Sequence, residues 1–491
     1  MSLLMIVELL VVLLALWVGA RYGSLALGAI SGIGLAVLVF CFNLKPGDPP
    51  TDVIYIIIAA VTCAGMLQAS GGMDWMIQIA ERLLRRHPDR ITFLAPFTTF
   101  FLTVLVGTGH VVYTLMPIIC DIALKKGIRP ERPCGIASIA SQIGITCSPI
   151  AAAVVAFSTI SAQYGFHVTN VQIIMVTIPA CVLGILMASL ASYHRGLDLD
   201  KDPEFQAKIK DPEKRAYIYG SNATTLDKKI SKESKRAVYI FLAALVLILV
   251  ISIPQMFGVH ILPHWESIQA VDGAGDITVS GRIQITAAQL AKAGVVLSGY
   301  TEVVQKYLTM NVVIQIIMLT ATALMIIVSK AKPKAAVQGA VWQNGMVAVV
   351  AIYGIAWMSN TYFDNYLPQM EQMLGGIVGQ YPWTIAIAFF LVSVLINSQG
   401  AVVVAMLPLA YSLHIEGWVL LGVLPSVYGY FFIPNYPSDI ATVNFDRSGT
   451  TVIGKYLLNH SFMMPGMIHV VTATICGYAI SALFHFVFHL Y

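Results

Sequence analysis

The chain has 491 residues, 57% of them hydrophobic and only 11% charged. A soluble domain carries about 25% charged residues, so this composition excludes one and implies an integral membrane protein. The net charge of +4 then bears on membrane topology and gives no footprint for nucleic acid.

A spanning helix needs about 20 apolar residues. Segments 3–20, 24–42 and 53–70 meet that requirement. The first has no basic start and carries Glu8, so it reads as a retained transmembrane helix and not a cleaved signal peptide. Gly71-Gly72 opens an amphipathic, basic-ended segment expected to lie on the membrane face. Segment 91–124 sits between two basic loops and is broken at Gly107-Thr108-Gly109-His110. Two full crossings need about 40 residues plus a turn, so a re-entrant hairpin is expected. Segment 134–165 is an interrupted helix, broken at Gly144–Pro149 because proline has no N–H for the ladder. Segment 171–193 returns to the basic side, and a polar stretch, 194–236, follows as an extended cytoplasmic linker.

The second half repeats the plan inverted. Helices 237–254, 310–329 and 335–358 surround an insertion, 255–308, whose run DITVSGRIQIT (276–286) alternates like a strand. A surface segment, 362–380, precedes a second short hairpin, 382–413, broken at Asn397-Ser398-Gln399-Gly400. An interrupted helix, 418–445, breaks at Ile433–Ser438, and 464–488 closes the chain. LVGTGHVVYTLMPI (105–118) aligns with INSQGAVVVAMLPL (396–409), matching Gly109 to Gly400 and Pro117 to Pro408. With the basic loops on one side, 25 of the 29 Lys and Arg residues are cytoplasmic and only Lys45, Arg282, Lys292 and Lys306 are not. The expected fold is an all-α inverted repeat: residues 1–193 and 237–491 each give five transmembrane helices plus one re-entrant hairpin, ten spans and two hairpins in all, with both termini periplasmic.

Broken helices persist in lipid only where they are buried or line a cavity, and paired breaks in inverted repeats mark a substrate site near the midplane. No Lys or Arg lies inside a proposed span, so a bound anion would be held by backbone N–H, hydroxyl and amide groups at helix starts. Two clusters qualify as substrate-binding candidates. The first is Thr108, Gly109 and His110 (with Gly107) beside Thr146 and Ser148; the second is Asn397, Ser398 and Gln399 beside Asn435, Tyr436, Ser438 and Thr442. Their symmetry suits a small molecule with an anionic group at each end. Gly107 and Gly109 serve either the turn or close ligand approach. His110 either couples protons or makes a structural bond within the tip. Asp439 either binds a coupling cation or proton, or caps its helix. Gly28 and Gly32 form a small-xxx-small step that fits packing within the fold and leaves a homodimer open. The seven cysteines have no metal-type spacing, and no cofactor motif, HExxH or GxSxG occurs, against a metal site or an intramembrane enzyme.

The chain resembles the anaerobic C4-dicarboxylate transporter (Dcu) family. The resemblance rests on LQASGGMDWMIQIAERLLRR (67–86), GTGHVVYTLMPII (107–119), IRPERP (128–133), YGIAWM (353–358), NSQGA (397–401), FFIPNYPSDIATVNFDRSGTT (431–451) and NHSFMMPG (459–466). The longest of these looks closest to the A-type branch. The resemblance implies a bacterial inner-membrane exchanger of fumarate, L-aspartate, malate and succinate, akin to the ion-transporter superfamily with its hairpins and alternating access. The tips differ from the Ser-Asn-Thr of sodium-coupled superfamily members, so proton or sodium coupling stays open. Some family members also regulate a sensor kinase; no residue here establishes that. A cation or proton antiporter, or a channel, with Asp439 as its ion site is the alternative reading.

Overall fold

The computed structural model describes residues 3–491 except 23–24, 221–222, 257–258, 260, 273–274, 281–296, 435 and 455–458. Helices dominate. Among the described residues, seven are long and apolar enough to cross a membrane: Pro88–Val106, Glu131–Gln163, Asn170–Ser192, Lys232–Gln255, Met310–Ser329, Ala340–Tyr366 and Met463–Phe486. The pair Val53–Ala69 and Gly72–Arg86, bent by 72°, passes as an eighth if counted as one span. Large apolar side chains such as Leu14, Leu391, Ile327 and Ile475 are exposed, as a lipid-facing surface requires.

In chain order the first elements are α1 (Leu3–Tyr22), α2 (Leu25–Ala36, extended by a π turn to Cys41), α3 (Thr51–Ala69) and α4 (Gly72–Arg86). Gly71 makes the bend before α4 with φ +76°, which a side chain would strain. Met73, Met76, Ile77, Ala80 and Leu84 bury one face of α4 at helical spacing. Next come α5 (Ile91–Val106), α6 (Val112–Lys126), α7 (Glu131–Ile143), α8 (Ala152–Gln163) and α9 (Asn170–Ser192). The pairs α5–α6 and α7–α8 are each interrupted within apolar sequence, as expected. At 15 residues, α6 rises only about 22 Å, short of a ~30 Å hydrocarbon layer.

The polar stretch 194–236 is folded and docked, in contrast to the extended tether expected. It carries α10 (Pro203–Lys208) and α11 (Pro212–Tyr219), each opened by an aspartate cap and a first-turn proline. Arg129 pairs with Asp202 at 2.7 Å, Arg132 with Asp198 at 2.7 Å, and Lys228 with Asp74. The Phe205 N–H, and behind it the Arg129 charge, hold the Asp202 carboxyl below the ordinary carboxylate range. Glu81 accepts from Thr224 Oγ1 at 2.7 Å and Thr225 N at 2.7 Å, fixing the far end of the linker to α4.

After α12 (Lys232–Met256), the insertion forms an antiparallel sheet of β1 (His264–Asp272), β2 (Gly275–Ser280) and β3 (Leu297–Tyr307) in the order β2-β1-β3. The alternating run 276–286 begins in β2, and its residues 281–286 lie outside those described. The chain continues through α13 (Met310–Ser329), α14 (Pro333–Gln338) and α15 (Ala340–Gln380). Here the structure corrects the sequence reading: no separate surface segment begins at 362, because α15 is one unbroken helix of 41 residues. Its polar middle stays helical because loop 43–50 lies against it. Trp357 Nε1 donates to Gly47 O at 2.7 Å, Gly47 N to Thr361 Oγ1 at 3.0 Å, and Asn360 Nδ2 to Asp48 O at 3.1 Å. The last elements are α16 (Ile385–Leu395), α17 (Gln399–Ser412), α18 (Gly417–Val423), α19 (Pro437–Phe445) and α20 (Met463–Phe486).

The helix pair α2–α15 closes backbone to backbone. A methyl group on Gly28 would strike the Val350 carbonyl, and one on Gly354 would strike Gly28 O, whereas Gly32 has nothing within 4 Å. Gly28→Val should therefore destabilise the fold by about 1–3 kcal/mol or more, the cost of overpacking, while Gly32→Val should be neutral. Monodisperse yield and melting temperature in detergent would check this; equal loss in both variants would contradict the assignment.

Candidate functional site

The first interruption starts where α5 ends. Gly107 takes φ +79° and donates its N–H to Thr103 O at 2.7 Å, closing the helix. A Cβ there would lie 3.0 Å from Ile150 Cγ1 and 3.5 Å from Ser148 Oγ, so turn geometry and close packing both require glycine. Thr108 is extended and half-buried, and a 3-10 turn over Gly109–Val111 leads into α6. Gly109 is needed for approach alone, since a Cβ would sit 2.5 Å from Gln142 Nε2. The half-buried His110 ring stacks on Tyr113, 5.8 Å between centroids.

The second interruption follows α7. A 3-10 turn, Gly144–Cys147, leads to Ser148, which is fully buried with no partner for its Oγ among the described residues. Thr146 gives its hydroxyl proton to Ile143 O at 2.9 Å. The carbonyl of Pro149, left over by the break, accepts from Asn170 Nδ2 at 2.9 Å.

The third lies between α16 and α17. Asn397 is half-buried in this turn, and Ser398 is the N-cap of α17, its Oγ accepting from Ala401 N at 3.4 Å. Gln399 is buried; its Nε2 donates to Gln142 O at 3.0 Å, while its Oε1 has no partner among the described residues. A Cβ on Gly400 would lie 3.0 Å from Ala152 Cβ, which places this tip against the start of α8.

The fourth precedes α19. Asn435 lies outside the described residues. The rings of Tyr436 and Tyr430 are 4.6 Å apart, and Tyr430 OH donates to Gln142 Oε1 at 3.4 Å. Asp439 is 1% exposed in the first turn of α19, where Tyr436 is the N-cap and no side chain makes a cap bond. Its Oδ1 accepts from Ser138 Oγ at 2.7 Å, with buried Ser438 Oγ 3.2 Å from the same hydroxyl. Asp439 makes no ion pair among the described residues. Thr442 donates its hydroxyl to Ser438 O at 2.6 Å.

The two candidate clusters thus meet at the C-terminal half of α7. Gln142 touches Gly109, Gln399 and Tyr430; Ser138 touches Ser438 and Asp439. Sequence reasoning singled out neither residue, nor Tyr430 or Asn170. The available signal was Ser138 and Gln142, four apart and so on one face of an apolar helix. The starts of α6, α17 and α19 lie against this stretch, since Gly109, Gln399, Ser438 and Asp439 touch it, and a helix start carries the positive end of the dipole. Such an arrangement offers neutral donors to an anion. Among the described residues no three His, Cys, Asp or Glu side chains group to hold a metal.

The sequence profile of the anaerobic C4-dicarboxylate membrane transporter family matches residues 4–485. The Escherichia coli O157:H7 protein named anaerobic C4-dicarboxylate transporter DcuB is 41% identical over 98% of this chain and 99% of its own. The Wolinella succinogenes C4-dicarboxylate transporter DcuA is 30% identical over 97% and 99%. The finer placement nearest the A-type branch has weak support, since identity runs higher toward DcuB. One solved structure, Neisseria gonorrhoeae MtrF, aligns with TM-score 0.47 and 13% identity over 99% of this chain and 96% of that one.

The Ser138–Asp439 bond gives a direct check. Ser138→Ala should cost about 1–3 kcal/mol, the penalty for leaving a buried polar group without its partner. Adding Asp439→Asn should recover most of that loss. Thermal unfolding of the two single variants and the double variant measures the coupling; strictly additive losses would dissolve it.

Proposed function

Because this chain belongs to the anaerobic C4-dicarboxylate membrane transporter family, one of transporters and not enzymes, we propose that it exchanges C4-dicarboxylates such as fumarate, L-aspartate, malate and succinate across the bacterial inner membrane. The exchange proceeds by alternating access. Residues 1–193 and 237–491 form two inverted repeats, each of five spans and one re-entrant hairpin (91–124 and 382–413), with both termini periplasmic and the basic face cytoplasmic. The names of the relatives support the substrate class. The observation that carries the reading is the meeting of both glycine- and amide-bearing tips with both helix breaks around Ser138 and Gln142, with Ser148 Oγ and Gln399 Oε1 buried and unpartnered among the described residues. One end of a dianion is held by the Thr108–His110 turn with Thr146 and Ser148, the other by Asn397–Gln399 with Asn435, Tyr436, Ser438 and Thr442.

A second reading, cation or proton antiport, is favoured by one observation: Asp439 is a buried acid without an ion pair among the described residues, the kind of intramembrane group that binds cations. It predicts that Asp439→Asn abolishes ion flux and that dicarboxylates change nothing.

Proteoliposomes loaded with succinate should take up labelled fumarate or aspartate only when internal dicarboxylate is present. Asn397→Ala and Ser398→Ala should each raise the half-saturating concentration about tenfold, the scale of one to two lost hydrogen bonds, with folded yield unchanged. Uptake without internal substrate rejects obligate exchange; no counterflow of any C4 acid rejects the substrate class.

A further inference from the structure

A cavity of about 160 Å³ opens on the basic face between α6, α11 and the end of α19, away from the residues assigned above. Pro117, Cys120 and Asp121 line it from α6, Tyr217 from the linker, and Asn444 and Arg447 from the α19 side. The helices α6 and α19 pack on each other, so one seam joins this cavity to the candidate site. Along it Asp439 precedes Asn444 by five residues and His110 precedes Pro117 by seven, roughly 8–11 Å at 1.5 Å per residue.

The charges there are unequal. Asp121 is already neutralised by Lys125 at 2.9 Å and Arg85 at 3.6 Å. Arg447 has no carboxylate partner among the described residues, whereas Arg129, Arg132 and Arg195 on the same face are all paired with acids. Its Nη1 donates to Tyr217 O at 3.3 Å, and its guanidinium lies 5.5 Å from the centroid of the Tyr217 ring. Tyr217 is held over the cavity because its neighbour Ile218 is buried with Leu124, Leu199 and Phe205 in a small core of its own.

We infer that this cavity is a cytoplasmic waiting site for one carboxylate of the transported acid, bound by Arg447 and covered by Tyr217 of the linker. A planar guanidinium presents paired N–H groups that match a carboxylate, and here one stands free of competing acids. Tyr217 stands at the outer end of this seam, so on this reading the folded linker is the lid of the cytoplasmic path. The inference rests on the exchange proposed above, with the basic face cytoplasmic.

Two measurements test it. In proteoliposomes of uniform orientation, Arg447→Gln should raise the half-saturating dicarboxylate concentration on the linker side about tenfold and leave the opposite side within about twofold. Arg447→Lys should restore part of the loss, and Tyr217→Ala should alter the linker side only. Independently, phenylglyoxal modification of Arg447 in the full-length protein, followed by peptide mass spectrometry, should be slowed by succinate and not by chloride. An Arg447→Gln effect equal on both sides, no effect on either, or labelling indifferent to succinate would overturn the assignment. Absence of exchange in the wild-type protein would instead sink the parent reading, and the labelling result would still decide whether the cavity takes a carboxylate.

Discussion

Backbone N–H and C=O groups cannot be left unpaired in an apolar environment, and among the described residues four interruptions break helices inside the apolar body. That constraint organises the rest. The freed groups are closed partly within their own helices and partly against other elements. Gly107 N returns to Thr103, Pro149 O takes Asn170, Ser398 caps α17, and Gln399 reaches the backbone of Gln142. The breaks therefore nest together around α7, whose whole length is buried. The site follows from backbone satisfaction before any ligand is considered, since polar groups gather where the helices cannot continue.

The same constraint explains what the sequence disclosed. Breaks are local events: a glycine at positive φ or a proline without an N–H marks them within a few residues, so Gly107, Pro149, the Asn397 turn and Pro437 were legible directly. Partners are not local. Ser138 and Gln142 look like ordinary polar residues in an apolar helix until Asp439, about 300 positions later, and Gln399 arrive beside them. The misread at 359–362 has the same origin. Ser359, Asn360 and Thr361 resemble a helix end, yet loop 43–50 supplies partners to Asn360 and Thr361 from more than 300 residues away and α15 runs on. Polar residues in a membrane helix thus carry two meanings, an end or a distant contact, and a sequence window cannot separate them.

Charge shows a similar doubling. Basic residues clustered on one side set topology, but many of them also build structure. Arg129, Arg132 and Arg195 are engaged by Asp202, Asp198 and Glu131, which turns a strongly charged stretch into a fixed cover across the ends of α4, α6 and α7. Exposed ion pairs contribute little singly, about 0–1 kcal/mol each, so the cover depends on several acting together and on the apolar cluster of Phe205 and Ile218 beneath.

A site that holds an anion with neutral donors alone behaves differently from one built on arginine. Charge-assisted bonds are roughly twice as strong as neutral ones, so a buried guanidinium would retain a dianion that the proposed exchange must release on both faces. Backbone N–H groups, hydroxyls and amides give orientation without that trap. Two of the hydroxyls here, those of Ser138 and Ser438, stand beside Asp439, a buried acid without an ion pair among the described residues. On the reading proposed above, a dianion at this site and an ionised Asp439 would repel each other through space, and the serine between α7 and α19 bears on both.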